Sequence, residues 1–377
     1  MLIVVACVIA VAAIVASFVS LPYYALTPGN AQAVEPLISV PSSLKHHHKG
    51  SIQLVDVEVT PIRAIDWIYF KLDNNASVVP SSAILGPSTP QQYNTEGVID
   101  MATAQQAATV VALRELGYKV PVKAAGALLY ALQPGSPAEN SLLVGDTVTR
   151  ASGTAVTSAS GLASALSRRA VGATVRLTVS TWGRSHPHVV AVRLGSWHWT
   201  SRGPGASLDC VPAGRATHMR VALLLDREGA LSLPKKGEAG HPVACLGVLS
   251  TEDAYKIAKL PFAVNLQSEG IVGPSAGLAF TLGLMQKLDR LDLTGGRKVA
   301  ATGTMDIFGN VGAIGGVQQK TIAVRAAGAS IFFVPNANFA RAKAFAGPQL
   351  KIYAVSSIGQ VLRILKRLGG RIAPAQP

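Results

Sequence analysis

At 377 residues the chain is long enough for two or three domains, and 49% hydrophobic residues against only 14% charged is rich enough to bury real cores. The formal net charge of +14 makes an anionic surface, a lipid headgroup layer or a cell envelope, its natural neighbour. Nucleic acid is the rival partner for such charge and is excluded, because the basic residues are scattered and no aromatic-studded motif or helix-turn-helix signature accompanies them.

From Leu2 to Leu21 there is no charged residue, so about 20 apolar or small residues predict a bilayer-spanning helix, an uncleaved anchor over residues 1–21. A cleaved signal peptide is the alternative, with a loose small-residue site near Ala25 and Ala31 to Ala33. No basic residue precedes the span, so charge gives no orientation. Residues 22–50 hold Pro22, Pro28, Pro36 and Pro41, then Lys45-His46-His47-His48-Lys49, and read as a juxtamembrane stalk ending in a solvated basic patch. Neighbouring histidines rarely converge on one ion and no matching ligand pair follows, so no metal is expected. Ser51 to Thr60 alternates apolar and polar residues and predicts a strand. An irregular piece with Trp67, Tyr69 and Phe70 and a helix from about Ala102 to Leu116 complete a leader segment over residues 51–123.

Gly126-Ala127-Leu128-Leu129, then Pro134-Gly135-Ser136-Pro137-Ala138 and Leu142-Leu143-Val144-Gly145-Asp146-Thr147-Val148, resemble a bacterial PDZ domain, placed at residues 124–195. PDZ domains take extended peptides by adding a strand beside a sheet edge and hold the terminal carboxylate on loop amides. The loop Leu116-Gly117-Tyr118 is the candidate for that hold, with a plain helix C-cap as the other reading. Leu162 and Leu166, on a helix predicted from Gly161 to Ser167, either line the side-chain pocket or pack the core. Residues 196–241 form a poorly periodic connecting insertion. Cys210 in it and Cys245 just beyond are either bridged, as an extracytoplasmic compartment permits, or two buried thiols.

Two stretches carry chemistry. Gly273-Pro274-Ser275-Ala276-Gly277 offers a serine in a glycine-flanked turn, and Gly315-Gly316-Val317-Gln318-Gln319-Lys320 offers a lysine among apolar neighbours. The G-x-S-x-G pattern also fits the α/β-hydrolase elbow, but that chemistry needs a later histidine and the last one here is His241. A Ser-Lys pair remains, provided burial lowers the lysine pKa by roughly three units, about 4 kcal/mol. A helix predicted from Ala276 to Leu288 starts at the serine and aims backbone N–H groups at a developing oxyanion. Strands are predicted at Ala244 to Leu249 and Pro261 to Leu266.

These motifs, 45 residues apart from Ser275 to Lys320, resemble the proteolytic domain of the Lon proteases over residues 242 to 368. The resemblance implies a Ser275–Lys320 dyad, with Thr302 in Ala301-Thr302-Gly303 bonding the lysine; beside it Gly273 flanks the serine turn, and the backbone amides near Ser275 and Ala276 are the supporting groups expected to hold the oxyanion. Many Lon proteases carry an acid three positions before the serine; here that position is Val272. No G-x-x-x-x-G-K-[ST] occurs in the sequence, so no ATP cofactor or motor is expected.

The expected fold class is α+β: an N-terminal transmembrane helix, a PDZ-like β-rich domain, and a Lon-type α/β proteolytic domain over 242–370 followed by a tail at 371–377. The expected function is a membrane-anchored serine endopeptidase acting on unfolded or PDZ-selected proteins, with both folded domains extracytoplasmic. An inactive protease-like PDZ scaffold that binds peptides is the alternative. Resemblance to Lon also suggests a homo-oligomeric ring.

Overall fold

A computed structural model describes residues 2–86, 88–181, 186–199, 208–214, 224–225, 231–232, 243–251 and 255–373. Gly203-Pro204-Gly205 of the insertion and the tail beyond Ala373 lie outside the described residues. The chain divides into two compact units, one of Met1–Gly86, Asp100–Val120 and Leu260–Pro377, the other of Pro87–Ile99 and Pro121–Lys259.

The apolar N-terminus is helical only over Leu2–Phe18, 17 residues. At 1.5 Å per residue that is about 26 Å, short of a hydrocarbon core of about 30 Å. Among the described residues no helix is long and apolar enough to cross a membrane, which corrects the expected transmembrane helix over residues 1–21. The charge-free run does continue to Leu21, but its end is claimed by a sheet. A strand begins at Ser20 and runs to Ala33, paired antiparallel with Ser51–Arg63 through Ser20↔Arg63, Ala25↔Thr60 and Leu26↔Val59. Part of the expected stalk is thus also strand.

The first unit is built on a six-stranded mixed sheet in the order Lys351–Val355, Ile331–Pro335, Lys298–Ala301, Ser51–Arg63, Ser20–Ala33, Ser77–Pro80. Its first four strands are parallel, with Val299 paired to Ile331 on one side and to Ile52 on the other. Phe332, Phe333 and Val334 are all fully buried, so both faces of the Ile331–Pro335 strand are covered, which is why it reads as a continuous apolar run. On one face Val317, Ala323 and Val324 of the helix Val317–Ala326 pack with Val55, Ala300, Phe332 and Val334. The helix Gly277–Leu288 is buried from Gly277 through Lys287 and packs against the Ser51–Arg63 strand. Of the strand expected over Pro261 to Leu266, only Asn265–Leu266 pairs, with Ile38–Ser39.

The second unit carries an antiparallel sheet in the order His188–Arg193, Thr174–Ser180, Thr147–Ala151, Ala127–Leu132, Val248–Thr251. The helix Ala159–Ser167, capped by the Ser158 hydroxyl on Gly161 N–H at 2.9 Å, drops Leu162 and Leu166 into the apolar core of this unit. The run expected as one strand, Ala244 to Leu249, is two: Ala244–Cys245 beside Gly195–Trp199, and Val248–Thr251 beside Ala127–Leu132. Those pairings hold residues 243–251 in this unit, Tyr255–Ile257 pairs with Val122–Ala124 of the same unit, and the first unit resumes at Leu260.

Candidate active site

Ser275 sits on a turn the sequence dictates. Gly273 has φ 91°, a conformation that only glycine adopts without strain. One 3-10 turn, Pro274–Ala276, leads into the helix Gly277–Leu288, whose start has no side-chain cap. A Cβ on Gly277 would lie 2.8 Å from Met305 Cβ, so glycine lets the helix start close against the Thr304–Met305 strand. Ser275 O accepts from Gly303 N–H at 2.9 Å and from Thr302 Oγ1 at 3.1 Å, which fixes the serine backbone to the chain leaving the Lys298–Ala301 strand.

Lys320 lies in the first turn of its helix and is only 2% exposed. Its Nζ is 2.6 Å from Ser275 Oγ and 3.5 Å from Thr302 Oγ1. Burial pulls the amine down from the ordinary lysine value of 10.5 to about 8, while the Asp56 carboxylate pulls the other way. An ammonium there is costly because it has left water, so the neutral amine becomes accessible near neutral pH. Once neutral, the amine can accept the hydrogen that the serine hydroxyl donates across 2.6 Å. Thr302, itself fully buried, touches both partners and is held by its N–H on Phe333 O at 3.0 Å. Ala276 is buried behind the serine, while Val272 is 43% exposed.

The structure adds one residue to this set. Asp56, on the Ser51–Arg63 strand, accepts from Asn30 N–H at 2.5 Å and is the charge that opposes the lowering at Lys320. It looks like any polar residue of an alternating strand, and only the tertiary fold brings it within electrostatic reach of a lysine 264 positions away.

The peptide-binding candidates separate. Leu116, Gly117 and Tyr118 belong to the first unit, Leu162 and Leu166 to the second. Gly117 N–H bonds Arg114 O at 2.9 Å and Tyr118 N–H bonds Leu113 O at 2.9 Å, the paired bonds of a Schellman cap on the helix Pro90–Glu115. Those amides are spent on the helix end, so this loop serves as a C-cap. Leu162 and Leu166 are both core residues and lining residues of a cavity of about 120 Å³. Cys210 and Cys245 are bridged, with Cα atoms 5.9 Å apart.

Comparison with known proteins finds a family match in each half of the sequence. Residues 266–367 match the Lon protease (S16) C-terminal proteolytic domain, and residues 112–184 match the PDZ domain. A Lon protease of Mycoplasma mobile is 36% identical over 66 residues, 18% of this chain and 8% of that protein, so the chain spans a small fraction of the length of this relative. The crystal structure of the PDZ domain of an SdrC-like protein from Listeria monocytogenes is 20% identical, covering 22% of this chain and 87% of that one, with a TM-score of 0.18. The chain thus carries a stretch similar to the PDZ domain followed by a stretch similar to the Lon proteolytic domain.

Proposed function

We propose that this protein is a serine endopeptidase in which Ser275 is the nucleophile and Lys320 its general base. The observation that carries the reading is the 2.6 Å approach of Ser275 Oγ to an amine that is 2% exposed and whose pKa is brought to about 8. In the reaction the neutral amine takes the serine proton as Oγ attacks the peptide carbonyl. The resulting ammonium then gives that proton to the leaving amine. Backbone N–H groups of Ser275 and Ala276, in the 3-10 turn that leads into the Gly277–Leu288 helix, favour the negative oxygen of the tetrahedral intermediate. Thr302 acts as a positioning residue, holding the serine carbonyl and touching the amine.

Substrates are extended segments of unfolded or loosely folded proteins, and the PDZ domain selects among them by strand addition. The Cys210–Cys245 disulfide supports an oxidising, extracytoplasmic compartment. The test is degradation of an unfolded protein, with and without ATP, alongside labelling by a fluorophosphonate probe. Wild type should cleave and label; Ser275→Ala and Lys320→Ala should do neither while keeping native circular dichroism. Full cleavage by Lys320→Ala removes the dyad from consideration.

A further inference from the structure

The second unit already holds a strand where a PDZ domain takes its ligand. We propose that residues 243–251 are a tethered internal ligand of this unit, which an incoming extended peptide must displace; this rests on reading the unit as a peptide binder.

A strand-adding ligand must meet two walls, the open edge of a strand and a neighbouring helix that supplies side-chain contacts. Here the strand is Ala127–Leu132, which follows Gly126, and the helix is Ala159–Ser167. Val248–Thr251 pairs antiparallel with the strand, Val248↔Leu132, Leu249↔Ala131, Ser250↔Leu129 and Thr251↔Leu128. Preceding residues continue the fit. Gln133 N–H bonds Gly247 O at 2.8 Å and Ala138 N–H bonds Leu246 O at 3.1 Å. Ala244 and Leu246, 5% and 3% exposed, join the same apolar cluster as Leu162 and Leu166. The segment thus supplies main-chain pairing on one side and aliphatic contacts on the other, the two things a peptide would bring.

Two features hold it there. The Cys210–Cys245 disulfide ties it covalently, and Cys210 N–H bonds Gln133 Oε1 at 2.9 Å next to the strand. Gly247 has φ 77°, and a Cβ there would lie 2.2 Å from Ser136 Cβ, so the close seat depends on glycine. The fit is incomplete. A cavity of about 120 Å³ remains between Leu162, Leu166 and the segment. Trp197 lines it, and its buried indole N–H has no acceptor among the described residues. A peptide with a larger apolar residue at this place gains contacts the internal segment leaves unmade.

The experiment uses the full chain carrying Ser275→Ala, so that the probe is not cut. The probe is a fluorescent nonapeptide copying residues 243–251 with Cys245→Ser. A tethered occupant competes at an effective concentration on the order of millimolar, so the apparent Kd of this parent should exceed that of a released form by about a hundredfold. Release is by Cys210→Ser and Cys245→Ser with Gly247→Val, which leaves the strand and helix walls unchanged. Hydrogen exchange should show the amides of residues 248–251 protected in the parent and freed in the released form. Equal affinity in parent and released forms, or fast exchange of those amides in the parent, overturns the tethered ligand and leaves peptide binding standing. Protected amides with no probe binding to a folded released form overturn both readings. Should the triple variant not fold, the two cysteine substitutions alone carry the test: affinity at least tenfold tighter than the parent supports the proposal, and unchanged affinity overturns it.

Discussion

Replacing Lys320 with methionine should abolish proteolysis and yet make the protein more stable at neutral pH. The lysine stands at 10.5 when unfolded and about 8 when folded, a gap of 2.5 units, or about 3 kcal/mol at 1.36 kcal/mol per unit. At pH 7 both states carry the proton, so the folded chain bears the whole penalty of a buried ammonium. Methionine keeps most of the stem volume and removes the charge, while the Ser275 and Thr302 hydroxyls lose a partner at a cost of about 1 kcal/mol. The net gain is about 2 kcal/mol. For a unit of about 225 residues this is a rise in Tm of about 4 to 8 °C. The sign is set by proton uptake. Between about pH 8 and 10.5 the unfolded lysine is protonated and the folded one is not, so wild-type stability climbs with pH and its deficit against Lys320→Met closes. Thermal melts of both proteins from pH 7 to pH 10 measure this. A variant that melts at or below wild type at pH 7, or a gap that stays constant with pH, refutes the buried and weakly compensated amine.

The same titration governs rate: kcat/KM should fall about tenfold per pH unit below pH 8, and a flat profile from pH 6 to 8 would speak against Lys320 as base. Asp56→Asn removes the charge that opposes the lowering, so the acid limb of that profile should move to lower pH; a limb that stays put separates Asp56 from the site. Thr302→Val should cost about ten- to a hundredfold in kcat/KM and Thr302→Ser should recover most of it, whereas equal losses would reduce Thr302 to packing. Lys287 makes the contrast to Lys320. Burial lowers its pKa too, but its ammonium donates to Glu35 O at 2.7 Å and to Ile38 O, so Lys287→Met leaves two carbonyls without their donor and should destabilise by about 1 to 3 kcal/mol, measured by urea unfolding. Unchanged stability would contradict that role.

What could be read from the sequence was local. Gly273 through Gly277 and Gly315 through Lys320 are short runs whose turn and helix chemistry depends on near neighbours, so the juxtaposition of Ser275 with Lys320 was expected and the structure places them 2.6 Å apart. The sheet that frames them was not legible. Its pairing of Val299 with Ile52 joins positions 247 apart, and no periodicity within either strand marks the partner. For the same reason Asp56 gave no signal. The N-terminal anchor failed because absence of charge is permissive of a helix but does not require one. Ser20 and Leu21 are as uncharged as what precedes them and fold as strand. At Leu116-Gly117-Tyr118 sequence left two readings, and only the bonds to Arg114 and Leu113 carbonyls chose between them.

The Ser51–Arg63 strand has a consequence for how the protein is made. Its parallel partner, Lys298–Ala301, leaves the ribosome 235 residues later, which at about 5 to 20 residues per second is a wait of about 10 to 50 s. During that interval residues 121–259 are complete and free to fold, while the early strands have no neighbour to one side. A fragment beginning at Pro242 would lack three of the six strands of the sheet that carries the Ser275–Lys320 pair, and should fail to fold where the full chain succeeds.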